Sequence, residues 1–462
     1  MEACLLIDFG STFTKLTVVD LETEEILATA KSKTTVSTNI MEGFELAKGE
    51  LLEKINKPHI TFKHQLACSS AKGGFKMIAI GLSKTLTAEA SKRVALGAGT
   101  RMLNVYSYGL KEADIEEIEE LAPDIILVSG GTNGGNTTGI INDIKQLTRL
   151  KLHIPIVIAG NEDANPTIDN ILKETSLPYF FSENVMPQIN HINPLPTREL
   201  LRTIFMEKIV EAKGISTISD QVGKIVMPTP TAVLLAAELL SKGTDNISGF
   251  EEVIIADIGG ATTDIHSIGS GKPKNSSITM EGLQEPFAKR TVEGDLGMRY
   301  SALSLLESTG YPLFKTYLPR LSSDDIFEKC FYRSEHPDFV SQTDKDIVFD
   351  ETMSKLAITT AFNRHAGFYR REPTPNRTLL FQTGKDLSQF KAVIATGGVL
   401  VNSQNPKTIL EACLKKEDDF YLMPTNPNFY LDKTYILSAM GLLSTLYPDI
   451  ALNILKKYLV KL

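Results

Sequence analysis

An aspartate-glycine hairpin occurs twice in this 462-residue chain, and the second copy begins more than half-way along it. Cys4–Val19 reads CLLIDFGSTFTKLTVV, and Val253–Ile268 reads VIIADIGGATTDIHSI. Each starts as an apolar run that ends on an aspartate, passes through a short polar turn containing glycine, and resumes as a strand. Asp8 aligns with Asp257, Gly10 with Gly259, and Thr14 with Thr263. Such turns are too rich in glycine to be bulky and too polar to be core. A phosphate fits them: glycine lets backbone N–H groups approach closely, and Thr262 and Thr263 add hydroxyls. Asp257, at the end of the first strand, would hold Mg²⁺ or orient water. One hairpin of this kind is common. Two with matching offsets indicate an internal duplication, the alternative being two ordinary hairpins.

These residues resemble the phosphate-1 and phosphate-2 motifs of the actin, Hsp70 and sugar-kinase ATPase superfamily. A third element, Ala392–Val401 (AVIATGGVLV), resembles the superfamily's adenosine motif, with a strand running into Thr396, Gly397 and Gly398. The fold class so implied is α/β: two RNase-H-like (actin-like ATPase) lobes clamping a nucleotide, with an inserted flavodoxin-like parallel α/β domain. The resemblance implies ATP and Mg²⁺ as cofactors. Asp8 and Asp257 take the catalytic positions and hold Mg²⁺ through water. Gly10, Ser11, Thr12, Lys15, Gly259, Gly260, Thr262, Thr263, Gly397 and Gly398 would bind the nucleotide. Gly294, Asp295 and Gly297, in Arg290–Tyr300, either open a helix beneath that nucleotide, where N–H groups suit an anion, or form a common helix start. Ser69 and Ser70 are either sensors of the terminal phosphate or part of a small-residue turn.

Composition narrows the class. With 42% hydrophobic and 23% charged residues the chain is globular and long enough for two or three domains. A net charge of −8 argues against a general nucleic-acid binder. Cys4, Cys68, Cys330 and Cys413 are scattered without a C-x-x-C, which excludes a disulfide framework or a conventional zinc site and fits a reducing cytoplasm. No leader pattern and no apolar stretch of spanning length is present, so no membrane partner is expected.

Read in order, residues 1–74 form the first part of lobe I. Meandering strands there precede a helix at Ile40–Asn56. Residues 75–190 change rhythm to alternating strands and helices, Lys76–Leu82 to Tyr179–Phe181, which implies an open parallel sheet. The glycine-rich loop Ser129–Gly139 ends its third strand and Ala159-Gly160-Asn161 its fourth. The layout resembles the cobalamin-binding domain of coenzyme B12-dependent mutases, with Ser129 and Gly160 where that fold packs on the cofactor tail. Gly81–Leu86 lacks the cobalt-ligating histidine motif, so the domain either imitates a cobalamin domain without ligating cobalt or is a generic α/β domain. Residues 191–250 complete lobe I, with extended Asn190–Thr197 before a helix at Arg198–Lys213; His191 reads as a loop histidine. Lobe II spans 251–434. There Asn363–Arg377 reads as a solvated basic helix face before a proline-rich turn. After Asn402–Pro406 a helix is expected at Lys407–Leu414, and residues 435–462 hold a final helix, Tyr435–Tyr447.

The whole chain is similar to the MutL (GlmL) family found beside adenosylcobalamin-dependent glutamate mutase and ornithine aminomutase. The stretches that carry this are LLIDFGSTFTK, LTAEASKRVALGAGTR, ILVSGGTNGGN, PTPTAVL, DIGGATTDIHS, KRTVEGDLGMR and IATGGVLV. The resemblance implies a cytoplasmic accessory ATPase that reactivates or chaperones the mutase, with mutase subunits as partners and self-association left open. A small-molecule kinase of the same fold and a nucleotide-switched scaffold are the competing readings.

Overall fold

The computed structural model describes every residue except 1, 11–12, 34–39, 56–59, 71–74, 85, 99, 212–223, 274, 376–377 and 417–419. The chain divides into two compact units, Met1–Val233 and Leu234–Leu462.

Unit one opens with an antiparallel meander: β1 (Ala3–Phe9), β2 (Phe13–Asp20) and β3 (Glu25–Lys33). Every residue of β1 is buried, as expected of a strand covered on both faces. Phe44, Ala47 and Leu51 of helix Ile40–Ile55 pack in one cluster with Leu5, Ile7, Leu16 and Val18. β4 (Phe62–Ser69) joins β1 in parallel. The chain then leaves this sheet. It builds β5 (Lys76–Gly81), β6 (Arg101–Ser107), β7 (Ile125–Val128), β8 (Ile156–Ile158) and β9 (Tyr179–Phe181), all parallel, in the spatial order β6-β5-β7-β8-β9. That is the doubly wound, flavodoxin-like order. The chain returns at β10 (Lys224–Pro228), parallel to β4, and completes the order β3-β2-β1-β4-β10.

Unit two repeats the first plan. Its strands are β11 (Val253–Ile258), β12 (Thr263–Ile268), β13 (Ile278–Glu281), β14 (Ala288–Glu293), β15 (Phe368–Pro373), β16 (Thr378–Thr383), β17 (Ala392–Thr396), β18 (Asn428–Leu431) and β19 (Val460–Lys461). The main sheet runs β14-β12-β11-β17-β18-β19. An antiparallel meander again adjoins two strands parallel to the first. Both units therefore carry an RNase-H-like sheet. β13, β16 and β15 make a separate small sheet. The 22-residue helix Asp344–His365 buries Phe349, Met353, Ala357 and Phe362 in one cluster with Ile254, Ala256 and Ala395 of the main sheet.

Four sequence expectations change. Residues 195–197 are helical: the helix is Leu195–Glu211, because Pro196 sits in a first turn, where its missing N–H costs nothing. The basic stretch is helical only to His365; Phe368–Pro373 is a strand with Arg370 and Arg371 on it. The expected final helix is shorter, Leu437–Leu443, and is followed by the helix Pro448–Tyr458 and by β19. The helix expected after Asn402–Pro406 is Pro406–Leu410, closing as a single turn of tighter helix at Glu411–Cys413. All four cysteines are buried and free. Among the described residues no helix is long and apolar enough to cross a membrane.

Two buried histidines make unit two acid-sensitive. His365 bonds Ser267 Oγ (2.7 Å) and Thr291 Oγ1 (2.9 Å), and burial, with Lys289 and Lys385 nearby, holds its ring well below the usual range. Burial, then Arg290, brings His266 down to about 3, and among the described residues its Nδ1 has no partner. Once unfolded, both rings bind protons below about pH 6.5, whereas the folded rings do not. Stability therefore falls as pH drops below that value, by at most ~1.4 kcal/mol per pH unit for each histidine. Urea midpoints measured from pH 7 to 5 should fall, and His266→Leu should flatten the slope; an unchanged slope contradicts this account.

Candidate functional site

The two hairpins have the same register. Asp8 pairs with Lys15 and Phe9 with Thr14; Asp257 pairs with Asp264 and Ile258 with Thr263. In each turn the glycine N–H donates to the carbonyl three residues on, Gly10 to Phe13 (3.1 Å) and Gly259 to Thr262 (2.8 Å). Thr14 and Thr263 are both fully buried. Sequence alignment and backbone geometry thus coincide at each of these positions. Ser11 and Thr12 lie outside the described residues.

In unit one, β1, β4 and β10 end side by side: Asp8 is level with Cys68, and Cys68 with Met227. Thr229, the first residue of helix Thr229–Lys242, follows β10 directly. Its hydroxyl donates to Asp8 Oδ1 at 2.7 Å, and the Cys68 thiol reaches the same oxygen at 3.6 Å. Burial, then the Asp8 charge, pushes the Cys68 thiol well above its ordinary range, so it remains an S–H donor. The Asp8 carboxylate is 5% exposed and fixed in direction. Ser69 is buried at the end of β4, and Ser70 N–H closes onto Phe9 O (2.9 Å).

In unit two the carbonyls of the turn all point inward. Gly259 O accepts from Met298 N (3.0 Å), Gly260 O from Arg299 N (2.7 Å), Ala261 O from Ser301 Oγ (2.7 Å), and Thr262 O from Gly259 N. Across a trans peptide the N–H lies opposite the C=O. The amides of Gly260, Ala261 and Thr262 therefore face away from the loop that holds the carbonyls. Thr263 donates its hydroxyl to Leu296 O (2.7 Å), so it binds that loop to the hairpin, while Thr262 bonds Asp264 (3.1 Å). Asp264 is gripped by Arg290 (2.7 Å). Gly294 is exposed. Asp295 is engaged by Arg364 and Ser308, whose bonds outweigh burial and hold its carboxyl below the ordinary range. The loop is anchored from below: the Arg299 side chain reaches Asp350 (2.9 Å), and Asp350 also takes Ser341 and the buried Arg333 (2.6 Å).

Asp257 is half-buried and level with Thr396 on β17. Gly397 follows at φ +115°, and a side chain there would place Cβ 2.3 Å from Ile258 O. Gly398 opens the short helix Gly398–Asn402 and is exposed. Tyr435, at φ +57°, faces this edge: burial, then Asp257 and Asp432, pushes its phenol up to about 12. Asp432 caps helix Leu437–Leu443 through the N–H groups of Ile436 and Leu437. The structure thus groups Asp257, Gly259, Gly260, Thr262, Thr263, Gly294 and Gly397 around one hairpin, and Asp8, Gly10 and Lys15 around the other. Sequence reading missed Thr229, Cys68, Tyr435, Arg299 and Asp350. The only signal for Thr229 was its place between Pro228 and Pro230, which marks a helix start.

The family model described as "MutL protein" matches residues 4–459. The chain is 51% identical to "Protein MutL" of Clostridium tetanomorphum over 462 residues, all of both chains. It belongs to the MutL family. Likenesses to solved structures are looser. A nucleotide-free acetone carboxylase gives a TM-score of 0.42 at 13% identity, over 95% of this chain and 69% of that one. A glycerol dehydratase reactivase gives 0.36 at 10%, over 96% and 99%.

The loop end of the parallel sheet in this MutL-family chain is filled from within. Ser129 Oγ takes Ser91 Oγ (2.7 Å) and bonds Ile80 O (3.1 Å). Asn184 joins Gly131 O to Asn133, and Asn161 bonds Gly135 O. A Cβ on Gly160 would lie 2.7 Å from Gly130 N. The Ser129 hydroxyl and Gly160, which stand where the resemblance to a cobalamin domain would put a cofactor tail, are engaged by the sheet's own loops.

Removing one partner from a buried ion network costs ~3–5 kcal/mol. Asp350→Ala, which removes the buried carboxylate shared by Arg299 and Arg333 and leaves Arg333 its 3.7 Å pairing with Asp346, should destabilise unit two by about that amount in urea unfolding. Arg333→Met leaves Asp350 paired with Arg299 and should cost less; the reverse order would refute the anchoring role.

Proposed function

We propose that this chain binds ATP through its hairpin turns and is a slow Mg²⁺-dependent ATPase serving as an accessory factor. It would reactivate or chaperone an adenosylcobalamin-dependent amino-acid mutase, of the glutamate mutase or ornithine aminomutase type. The observation that carries the reading is the duplicated hairpin, in register, with an aspartate at the end of the central strand of each RNase-H-like sheet. Membership of the MutL family supports the accessory role. Residues 75–190 would act as an inserted domain whose surface meets the mutase.

The residues suit the cofactors. Outward amides at Gly260, Ala261 and Thr262 form a small concavity for an anion, and fixed N–H dipoles stabilise charge that develops during phosphoryl transfer without reorganising. Among the described residues no cluster of three His, Cys, Asp or Glu side chains could cage a metal. Mg²⁺ bound to nucleotide needs no such cage; it keeps several waters and takes one or two carboxylates beside phosphate oxygens. Asp8 and Asp257 would hold it so, and when bound it would neutralise phosphate charge. Asp8, immobilised by Thr229 and Cys68, orients water in one direction. Gly397 lets β17 turn directly against the Ile258 carbonyl, one residue past Asp257.

ATP hydrolysis should be measured with full-length protein, alone and with an adenosylcobalamin mutase inactivated by turnover. Asp257→Ala and Asp8→Asn should each lower phosphate release by ~10²–10³-fold, the range for removing one charge-stabilising group, and should abolish recovery of mutase activity. Thr229→Val should lower the rate while Thr229→Ser restores it. ATP bound without phosphate release or mutase recovery would sink the reading in favour of a scaffold. Failure to bind ATP would remove the phosphate assignment altogether.

A further inference from the structure

The end of unit two's sheet opposite the hairpin turn holds a knot of buried oxygens that no part of the reading above uses. Gln382, Asp386 and Ser388 are 0%, 3% and 4% exposed. Among the described residues, Gln382 Oε1, Asp386 Oδ2 and Ser388 Oγ each lack a hydrogen-bond partner. Their other atoms are tied to one another. Gln382 Nε2 and Asp386 N both donate to Gly271 O (2.8 and 2.9 Å), and Ser388 N donates to Asp386 Oδ1 (2.8 Å). Gln382 Nε2 also bonds Gly384 O (3.0 Å). A flipped amide would set Oε1 against two carbonyls, so the unpartnered atom is the oxygen. Tyr369, level with Gln382 on the adjacent strand, has its phenol pushed up by burial and then by Asp386.

A buried polar atom left without a partner is costly, and a charged one more so. The neighbouring Lys385 does not relieve it. Its ammonium donates three bonds elsewhere, to Ser267 O, Pro286 O and Phe287 O (3.0, 3.1 and 2.7 Å). Two of the three orphan atoms are acceptors only, and the third is a hydroxyl oxygen able to coordinate. A water supplies only two protons, whereas a cation accepts lone pairs from carboxylate, amide and hydroxyl oxygens alike. All the donors are hard oxygens, and only one carries formal charge. A monovalent ion balances that single carboxylate, whereas calcium sites recruit several carboxylates and magnesium retains its waters.

We propose that Gln382, Asp386 and Ser388 bind a monovalent cation, potassium or sodium. The ion fixes the segment from Gly384 to Phe390 that leads into β17, whose far end carries Thr396 beside Asp257. This is a structural cation site, separate from any Mg²⁺ held with nucleotide.

The test is thermal unfolding of full-length protein, dialysed into choline chloride and titrated with KCl, NaCl or LiCl at constant ionic strength. Potassium or sodium should raise the transition by roughly 3–6 °C at saturation, with lithium and choline less effective. Asp386→Asn and Ser388→Ala should each lose the ion-specific part. Crystals soaked in rubidium should show an anomalous peak at Asp386. The proposal is overturned by equal transitions in all four salts, which is also what a bound water would give, or by equal ion-specific shifts in wild type and Ser388→Ala. Should Asp386→Asn fail to fold, Ser388→Ala and the rubidium peak decide.

Discussion

The interaction on which the unit-two site depends lies behind it. Arg333 is 1% exposed, sits 4.5 Å over the Phe349 ring and donates its Nε–H to Asp350. Asp350 in turn holds the Arg299 side chain, and the Arg299 backbone N–H holds Gly260 O. This chain of contacts links the core helix Asp344–His365 to the hairpin turn. A turn rich in glycine is intrinsically floppy. Here it is fixed because its carbonyls are tied to a loop that is itself tied to a buried carboxylate. Preorganisation of this kind is what lets backbone amides act on an anion without first being ordered.

The two units reach similar ends by different means. Both place an aspartate at the carboxyl end of the first sheet strand, one residue before the turn begins to bend. Unit one secures Asp8 with a hydroxyl and a thiol brought by β10 and β4. Unit two leaves Asp257 half-buried, with a strained tyrosine facing it and Gly397 packed against the Ile258 carbonyl. Position 15 is lysine and its counterpart, position 264, is an aspartate held by Arg290. The duplication therefore preserves backbone geometry and the strand-end carboxylate, while the side chains around each copy have diverged.

Much of this was legible because it is local. The hairpins, their relative alignment and the alternating units between 76 and 181 are patterns of neighbours, and the strand and helix boundaries there fall within a few residues of expectation. Long-range contacts left no such trace. Thr229 is 221 residues from Asp8 and Asp350 is 51 from Arg299. Sheet order brings the first pair together, and the packing of helix Asp344–His365 the second. The strand Phe368–Pro373 was read as helix face and turn because none of its residues is buried. Without a covered side there is no alternation to see. Pro194 and Pro196 signal extension before Leu195–Glu211, although a proline in a first turn is compatible with helix.

Glycine-rich loops were treated alike in the sequence, and the structure separates them by what stands beside each Cα. At Gly160 a methyl group would collide with the backbone of Gly130, and at Gly131 it would lie 2.1 Å from Asn136 O. Those glycines exist so that loops of the parallel sheet can close on one another, and the asparagine bonds around them complete that closure. At Gly260 the nearest atom to such a methyl is Arg299 Cβ at 3.5 Å, and at Gly294 and Gly398 nothing lies within 4 Å. Space beside these residues is not consumed by packing. A glycine conserving room at a turn whose carbonyls face inward is suited to a ligand that approaches the backbone, whereas a glycine crowded by its own chain is suited to a closed loop. By that criterion Gly260, Gly294 and Gly398 leave open space beside the unit-two hairpin and the end of β17, whereas Gly131 and Gly160 of the parallel sheet are closed by their own loops.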